Sequence, residues 1–256
     1  MQERLAALIT SRAMAATPIL FVHGLIGDLN DAAVIEAVGG NFFAPDLLGY
    51  GNVSSAPGEL TLDAQAHYLH QLMCKDGVER VHIVGHSIGG AIAILFAAKY
   101  PQMTESLISV EGNFTLKDAF WSQRLAAMSL AQIEQTLEAD RADPGAWLAT
   151  SGVEVTPERV RKARHHLRNQ PATTLQAMSK AVIAATKSPD YLELARKVLK
   201  RLPFSLIAGE RSLAEWDVPP WALADAKSLT IIPDAGHMMM LEAPLAFAAA
   251  VRALTR

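Results

Sequence analysis

The stretch "RVHIVGHSIGGAIAILFAAKY", residues 80–100, contains the turn that decides the fold. Residues 80–84 have the apolar, β-branched character of a buried strand, and a Gly- and Ala-rich helical pattern follows from residue 88. Between them lies GHSIG (85–89), which has the form G-x-S-x-G. A serine on such a sharp strand-to-helix turn is exposed and lies beside backbone amides that can bind an oxyanion. The stretch therefore predicts a nucleophilic Ser87 at the start of a helix.

Five further apolar runs of strand length lie along the chain, and each is closed by a residue that interrupts regular structure. They are ILFV (19–22), NFFA (41–44), SLISV (106–110), FSLIA (204–208) and SLTII (228–232). Helical patterns separate most of these runs, and one of them begins after Thr61, a residue type that caps helices. This alternation predicts an α/β fold with a mostly parallel central sheet and helices on both faces. We expect the chemistry in loops at the carboxyl ends of the strands.

One long segment departs from the alternation. Residues 114–201 show helical patterns only. Because this segment comes just after the strand that ends at Val110, we predict an all-helical cap inserted there, above the carboxyl edge of the sheet. The predicted domains are an α/β core of residues 1–111 and 202–256 and a cap of residues 112–201.

Composition excludes several classes of partner. The chain has 256 residues and a net charge of −3, so no basic excess suggests a nucleic acid. No apolar run approaches the roughly 20 residues that span a bilayer, and the first residues lack a signal-peptide pattern, which predicts a cytoplasmic protein with no membrane partner. Cys74 is the single cysteine, which excludes an intrachain disulfide, and we expect it to be buried.

Neither a metal nor a cofactor is predicted. No spacing of His, Asp and Cys has the pattern of a metal site, and no glycine-rich loop has the dinucleotide pattern.

Three further motifs accompany GHSIG. They are FVHGLIG (21–27), APDLLGYGNVS (44–54) and IIPDAGHMMMLEAP (231–244). In this order the four motifs resemble those of the α/β-hydrolase superfamily, in particular its capped serine esterases and lipases. The resemblance covers residues 18–111 and 202–256. The superfamily usually opens with a β-hairpin, and the segment before the first strand is short for one. The sequence leaves open whether that hairpin is present, or whether ERLAALIT (3–10) is instead a helix or a single edge strand.

The resemblance implies roles for individual residues. Ser87 takes the position of the nucleophile and His237 that of the general base, while the backbone amides of Leu25 and Ile88 take that of the oxyanion hole. His237 also has support from its surroundings, since it follows Gly236 beyond the last predicted strand.

The acid of the triad departs from the commonest pattern of the superfamily. That pattern carries an aspartate after the penultimate strand, and here Ser212 occupies its place. A minority of members carry the acid after the strand that follows the nucleophile, which is the position of Glu111. A carboxylate at the end of an apolar strand is costly to desolvate unless a partner pairs with it, so we predict that Glu111 orients His237. Asp217 is the alternative acid, and Glu111 would then be exposed or paired with a cap arginine such as Arg124.

The predicted function is hydrolysis of a carboxylic ester or thioester through a serine acyl-enzyme, with a small molecule as substrate. Carbon–carbon bond hydrolysis and cofactor-free perhydrolysis use similar residues and stay open, as does a non-catalytic ligand-binding protein on the same fold. The acyl group, the leaving group and the oligomeric state are left open too. The predicted pocket residues are His23, Trp121, Met128, Trp147, Met178 and Met238.

Overall fold

A computed structural model describes residues 16–256, and its central sheet has six strands, with every neighbouring pair parallel. The strands are β1 (Ile19–Val22), β2 (Phe42–Phe43), β3 (Val81–His86), β4 (Thr104–Val110), β5 (Phe204–Gly209) and β6 (Leu229–Ile232). Their order across the sheet is β2-β1-β3-β4-β5-β6. All six predicted strands are present, and the predicted parallel α/β sheet is confirmed. The stretch ERLAALIT lies outside the described residues.

The register of the sheet places the ends of its central strands side by side. His86, the last residue of β3, pairs with Val110 of β4, and Val110 pairs with Ile207 of β5. Ser87 and Glu111 directly follow β3 and β4, so both leave the sheet at the same edge. This is the carboxyl edge, where parallel sheets place their functional loops.

Helices connect the strands. Within the described residues they are α1 (Ala32–Val38), α2 (Leu62–Lys75), α3 (Ile88–Lys99), α4 (Phe120–Ala127), α5 (Leu130–Ala142), α6 (Pro144–Thr150), α7 (Pro157–His166), α8 (Ala172–Lys187), α9 (Pro189–Leu199), α10 (Pro220–Asp225), α11 (Met239–Glu242) and α12 (Pro244–Leu254). The predicted cap of α2 is confirmed, since the side chain of Thr61 accepts a hydrogen bond from the amide of Ala64 at 3.0 Å.

Apolar side chains cover both faces of the sheet. Successive residues of a strand point to opposite faces, and Leu20 and Phe21 of β1 accordingly belong to two different clusters. The cluster of Leu20 includes residues of α2, α3, α8 and α9, whereas that of Phe21 includes residues of α1, α11 and α12. Burial of this apolar surface is the main favourable contribution to folding.

The chain between β4 and β5 contains α4 to α9 and no strand within the described residues, as predicted. We call residues 112–201 the helical insert. Its standing as a separate domain with these boundaries stays a prediction. Nowhere in residues 16–256 does a helix have the length and apolar character needed to cross a membrane.

The prediction that Cys74 is buried is wrong, because its side chain is exposed. In α2 the residues that face the core are Leu62, Ala66, Leu69 and Met73, which recur at helical spacing. Cys74 is the next residue after Met73 and therefore lies about 100° around the helix, away from this face.

Candidate active site

Ser87 lies on a tight turn between β3 and α3. Its backbone has φ 54° and ψ −122°, a conformation that L-residues rarely adopt, and its amide donates to the carbonyl of Val110 at 3.1 Å. The turn requires glycine on both sides of the serine. A Cβ on Gly85 would lie 2.4 Å from the carbonyl oxygen of Gly89, and a Cβ on Gly89 would lie 2.2 Å from that of Val22. Strain of this kind persists where the surrounding structure imposes it, often at functional sites.

The loop after β1, residues 23–28, lies next to this turn and is called the oxyanion loop below. Leu25 is held by its carbonyl oxygen, which accepts from the hydroxyl of Tyr50 at 3.0 Å. The amides of Leu25 and Ile88 donate to no acceptor among the described residues. The amide of Ile88 is also the first of α3, where the helix dipole favours negative charge. Both amides are therefore available to bind an anionic oxygen.

Glu111 lies against His237. Its Oε2 is 2.6 Å from Nδ1 of His237, while its Oε1 accepts from the amide of Gly209 at 2.8 Å and from the hydroxyl of Ser212 at 2.6 Å. The Glu111 side chain is only 4% exposed. Burial raises the pKa of this carboxyl, but the bonds and charge from His237, with those from Ser212 and Gly209, outweigh burial and hold the pKa below its ordinary value. Glu111 is therefore an ionised, oriented partner of the imidazole.

The loop that carries His237 is fixed from two sides. The amide of Gly236 donates to Oε1 of Glu242 at 2.8 Å, and Glu242 also forms an ion pair with Arg211. Nε2 of His86 lies 3.0 Å from the carbonyl oxygen of His237, so it donates to that oxygen. Burial, followed by the neighbouring His237, lowers the pKa of His86 well below its ordinary value, and its ring is neutral at neutral pH.

No hydrogen bond joins the side chains of Ser87 and His237 among the described residues. The two loops are nevertheless joined through His86, whose ring centroid lies 4.6 Å from that of His237. Catalytic hydrogen bonds are often absent or long before substrate binds and form in the complex.

Asp217, the alternative acid, bonds elsewhere. Its carboxylate accepts from the hydroxyl of Thr115 at 2.7 Å and lies 3.5 Å from the ammonium of Lys117, while its amide donates to Asp118 at 2.8 Å. No hydrogen bond joins Asp217 to His237 among the described residues. Arg124, the suggested partner of Glu111, forms no ion pair with it in that part of the chain either.

A cavity of about 420 Å³ borders His237, while Ser87, Ile88 and Glu111 are not among its lining residues. Leu25, His86 and His237 form part of its wall, together with three predicted pocket residues, Trp121, Trp147 and Met238. The sequence did not predict the remaining lining residues as part of a pocket; they are Ile26, Phe120, Thr150, Ser151, Gly152, Arg211, Ser212, Glu215 and Gly236. Among these, Phe120 has a sequence signal, since it directly precedes Trp121 on the same predicted helix.

The other three predicted pocket residues do not line this cavity. His23 is only 1% exposed, and both nitrogens of its ring form hydrogen bonds within the core. The ring accepts from the amide of Leu47 at 3.1 Å and donates to the carbonyl of Gly24 at 2.8 Å. Met178 is completely buried in the core, and Met128 packs against the same cluster. Their helix faces are apolar because they pack against the sheet and its helices.

The described residues contain no group of three or more His, Cys, Asp or Glu side chains that could hold a metal ion. The arrangement at this edge is instead that of a buried carboxylate, an imidazole and a serine on a strained turn.

Comparison with known proteins identifies the family of the chain. The family model described as the alpha/beta hydrolase family matches residues 19–250, and the chain belongs to that family. Lipase 3 of Moraxella sp. (strain TA144) is 40% identical over 110 residues, which are 41% of this chain and 33% of that protein. Lipase 1 of Psychrobacter immobilis is 36% identical over 114 residues, 43% of this chain and 34% of that protein. The matched part of the chain therefore spans about a third of the length of these relatives.

A solved structure shares the fold. A thermophilic esterase from Thermogutta terrifontis superposes with a TM-score of 0.67 and 23% identity, over 93% of this chain and 89% of that one. At this identity the likeness establishes the fold alone.

Proposed function

We propose that the protein is a serine hydrolase that cleaves carboxylic esters of small molecules through an acyl-enzyme on Ser87. The observation that carries the proposal is the 2.6 Å contact between Glu111 and Nδ1 of His237, at the sheet edge where Ser87 leaves β3. Two lipases among the similar proteins support an ester as the substrate. Thioesters carry the same reacting carbonyl and belong to the same proposal.

The pairing with Glu111 decides which nitrogen of His237 is the base. An ionised carboxylate beside Nδ1 keeps a proton on that nitrogen, so the lone pair is on Nε2. Nε2 removes the proton of Ser87 as Oγ attacks the substrate carbonyl. The amides of Leu25 and Ile88 then donate to the oxyanion of the tetrahedral intermediate.

Collapse of this intermediate completes the first half of the reaction. The bond to the leaving group breaks, and His237 gives its proton to the departing oxygen or sulfur. Water then attacks the acyl-enzyme with His237 again as base, which releases the carboxylic acid and restores Ser87. A neutral His86 beside His237 adds no like charge next to the imidazole while it carries the proton.

The cavity indicates a substrate of limited size. Its volume of about 420 Å³ is toward the lower end of the range of roughly 300–1,000 Å³ for small-molecule sites. Aromatic and aliphatic side chains, including Trp147 and Met238, form much of its wall. We therefore propose a short or medium acyl chain. A cytoplasmic location belongs to the proposal as well.

A panel of p-nitrophenyl esters from acetate to laurate, with matching acyl thioesters, tests this function. We expect turnover that is highest for short and medium chains, and complete inactivation by a fluorophosphonate that adds to Ser87 alone. Mass spectrometry of the labelled peptides locates the adduct. Hydrolysis that continues after stoichiometric labelling of Ser87 would refute the acyl-enzyme.

Ser212 gives a smaller and more specific prediction. Substituting Ser212 by alanine removes one of the two donors to Oε1 of Glu111, so the carboxylate is held less firmly. A hydrogen bond to a charged group contributes about 1.5–3 kcal/mol, and we expect kcat to fall about tenfold with little change in KM. Ser212→Thr keeps the hydroxyl and should retain most of the rate. Equal losses in the two variants, measured by steady-state kinetics, would show that the hydroxyl is irrelevant.

A further inference from the structure

The helical insert holds the backbone of Gly27 in the oxyanion loop. The amide of Gly27 donates to Oε1 of Gln170 at 3.0 Å, and its carbonyl oxygen accepts from Nδ2 of Asn169 at 3.1 Å. Gly27 has φ +87°, and a Cβ there would lie 1.9 Å from Nδ1 of His166. The insert therefore packs directly onto the backbone of Gly27, and both polar groups of this residue are bonded to side chains of the insert.

Gln170 is itself held rigidly. It is 1% exposed, its Nε2 donates to the carbonyl of His166 at 3.2 Å, and its own carbonyl accepts from Nη2 of Arg141 at 3.0 Å. Nε of Arg141 also donates to the carbonyl of Leu167 at 2.9 Å. Because these bonds fix the turn after α7, the acceptor that meets Gly27 has a defined position.

Asn169 connects the same turn to a second loop of the core, the one that contains Asp46 and Gly51. Its Nδ2 also donates to Oδ1 of Asp46 at 3.0 Å, and its carbonyl oxygen accepts from the amide of Gly51 at 2.6 Å. Nearby, Nε2 of His165 lies 2.7 Å from a carboxylate oxygen of Asp28. The insert thus holds the far end of the oxyanion loop, while Tyr50 of the core holds Leu25.

We propose that Gln170 and Asn169 are positioning residues that fix the oxyanion loop, so that the helical insert stabilises the transition state in addition to enclosing the substrate. This inference rests on the proposed function, since it assigns the amide of Leu25 to the oxyanion. An oxyanion donor is effective only when it is already aimed at the place where charge develops. Gly27 lies two residues beyond Leu25, and the insert holds it by both of its backbone polar groups.

Three variants separate this role from a general effect on stability. Gln170→Met removes the acceptor for Gly27 at nearly constant side-chain length. Gln170→Glu keeps an acceptor whether its carboxyl is ionised or protonated. Gln176→Met is the matched control, because Nε2 of Gln176 donates to the carbonyl of Met128 at 2.8 Å within the insert. Among the described residues Gln176 forms no hydrogen bond with the oxyanion loop.

The measurements are kcat and KM for a short-chain p-nitrophenyl ester, the inhibition constant of an alkyl boronic acid, and Tm. The boronic acid forms a tetrahedral adduct on the serine and places an oxygen at the oxyanion position. Loss of a whole oxyanion donor costs about 10²–10³-fold in kcat, so we expect a displaced donor in Gln170→Met to lower kcat about tenfold. Boronate binding should weaken by a similar factor while KM stays within twofold. Gln170→Glu should recover most of both losses, and Gln176→Met should change only Tm.

The inference is overturned if Gln170→Met leaves kcat and boronate binding unchanged, or if it raises KM alone. It is also overturned if Gln176→Met reproduces the kinetic losses of Gln170→Met. A wild-type protein that neither hydrolyses the esters nor binds the boronic acid would instead refute the proposed function, so the two failures are distinguishable.

Discussion

Substituting Ser87 by alanine should lower kcat for ester hydrolysis by about 10⁶-fold and abolish labelling by a fluorophosphonate. The reason is that no other hydroxyl lies on the strained turn at the start of α3, next to the amides of Leu25 and Ile88. Ser179→Ala is a suitable control, since the Ser179 hydroxyl is buried in the insert without a hydrogen-bond partner among the described residues. Its rate should match that of the wild-type protein. A Ser87→Ala variant that keeps more than a few per cent of the rate would exclude Ser87 as the nucleophile.

The backbone conformation of Ser87 leads to a prediction about the thermal stability of variants at this position. Ser87 holds φ 54°, where a residue with a Cβ is strained and glycine is not. Ser87→Gly should therefore unfold at a higher temperature than Ser87→Ala, by the equivalent of about 1 kcal/mol, although both are inactive. Thermal unfolding of the two variants measures the difference. Equal melting temperatures would show that this backbone conformation does not strain a residue that carries a Cβ.

Substituting Glu111 by glutamine should lower kcat by about 10⁴-fold. Glutamine is nearly isosteric, but its amide can donate to Nδ1 of His237 and then favours the tautomer with the proton on Nε2, which cannot accept a proton from Ser87. Asp217→Asn is the matched control and should retain activity, because the Asp217 carboxylate bonds to Thr115 and Lys117 instead. An active Glu111→Gln variant beside an inactive Asp217→Asn variant would reverse the assignment of the acid.

Glu111 also predicts how stability depends on pH. The pKa of Glu111 in the folded protein lies below the ordinary value of 4.5. A carboxylate with a lowered folded pKa contributes stability that is fully present above its ordinary pKa and is lost as pH falls through the folded pKa. The free energy of unfolding of Glu111→Gln should therefore vary less with pH below about 4.5 than that of the wild-type protein. Urea unfolding at a series of acidic pH values checks this, and identical profiles would contradict it.

Much of the fold follows from local sequence. The six strands are short apolar runs between breakers, and burial on both faces makes such runs recognisable. The sequence predicts a partner for Glu111, because a charged residue at the end of an apolar strand needs one, and the structure places His237 against it. Its other partners, Gly209 and Ser212, depend on β4 lying beside β5, and no local pattern contains that adjacency.

The cavity was harder to predict, because an apolar helix face does not reveal which apolar surface it meets. Trp147 and Met178 both lie in the insert, and only the packing of its helices puts the first on the cavity wall and the second in the core. Gln170 gave no signal at all, since a polar residue after a helix is typical of an exposed turn. It is nevertheless buried against Gly27.

The central claim is that Glu111 and His237 act on Ser87 as one unit, and a double-mutant comparison tests it most directly. The values of kcat are measured for Glu111→Gln, for His237→Ala and for the protein with both changes. Residues that act as a unit show strongly non-additive losses. We predict that the double variant is no slower than His237→Ala, within about threefold. Losses that multiply, so that the double variant is slower by the product of the two single effects, would contradict the account.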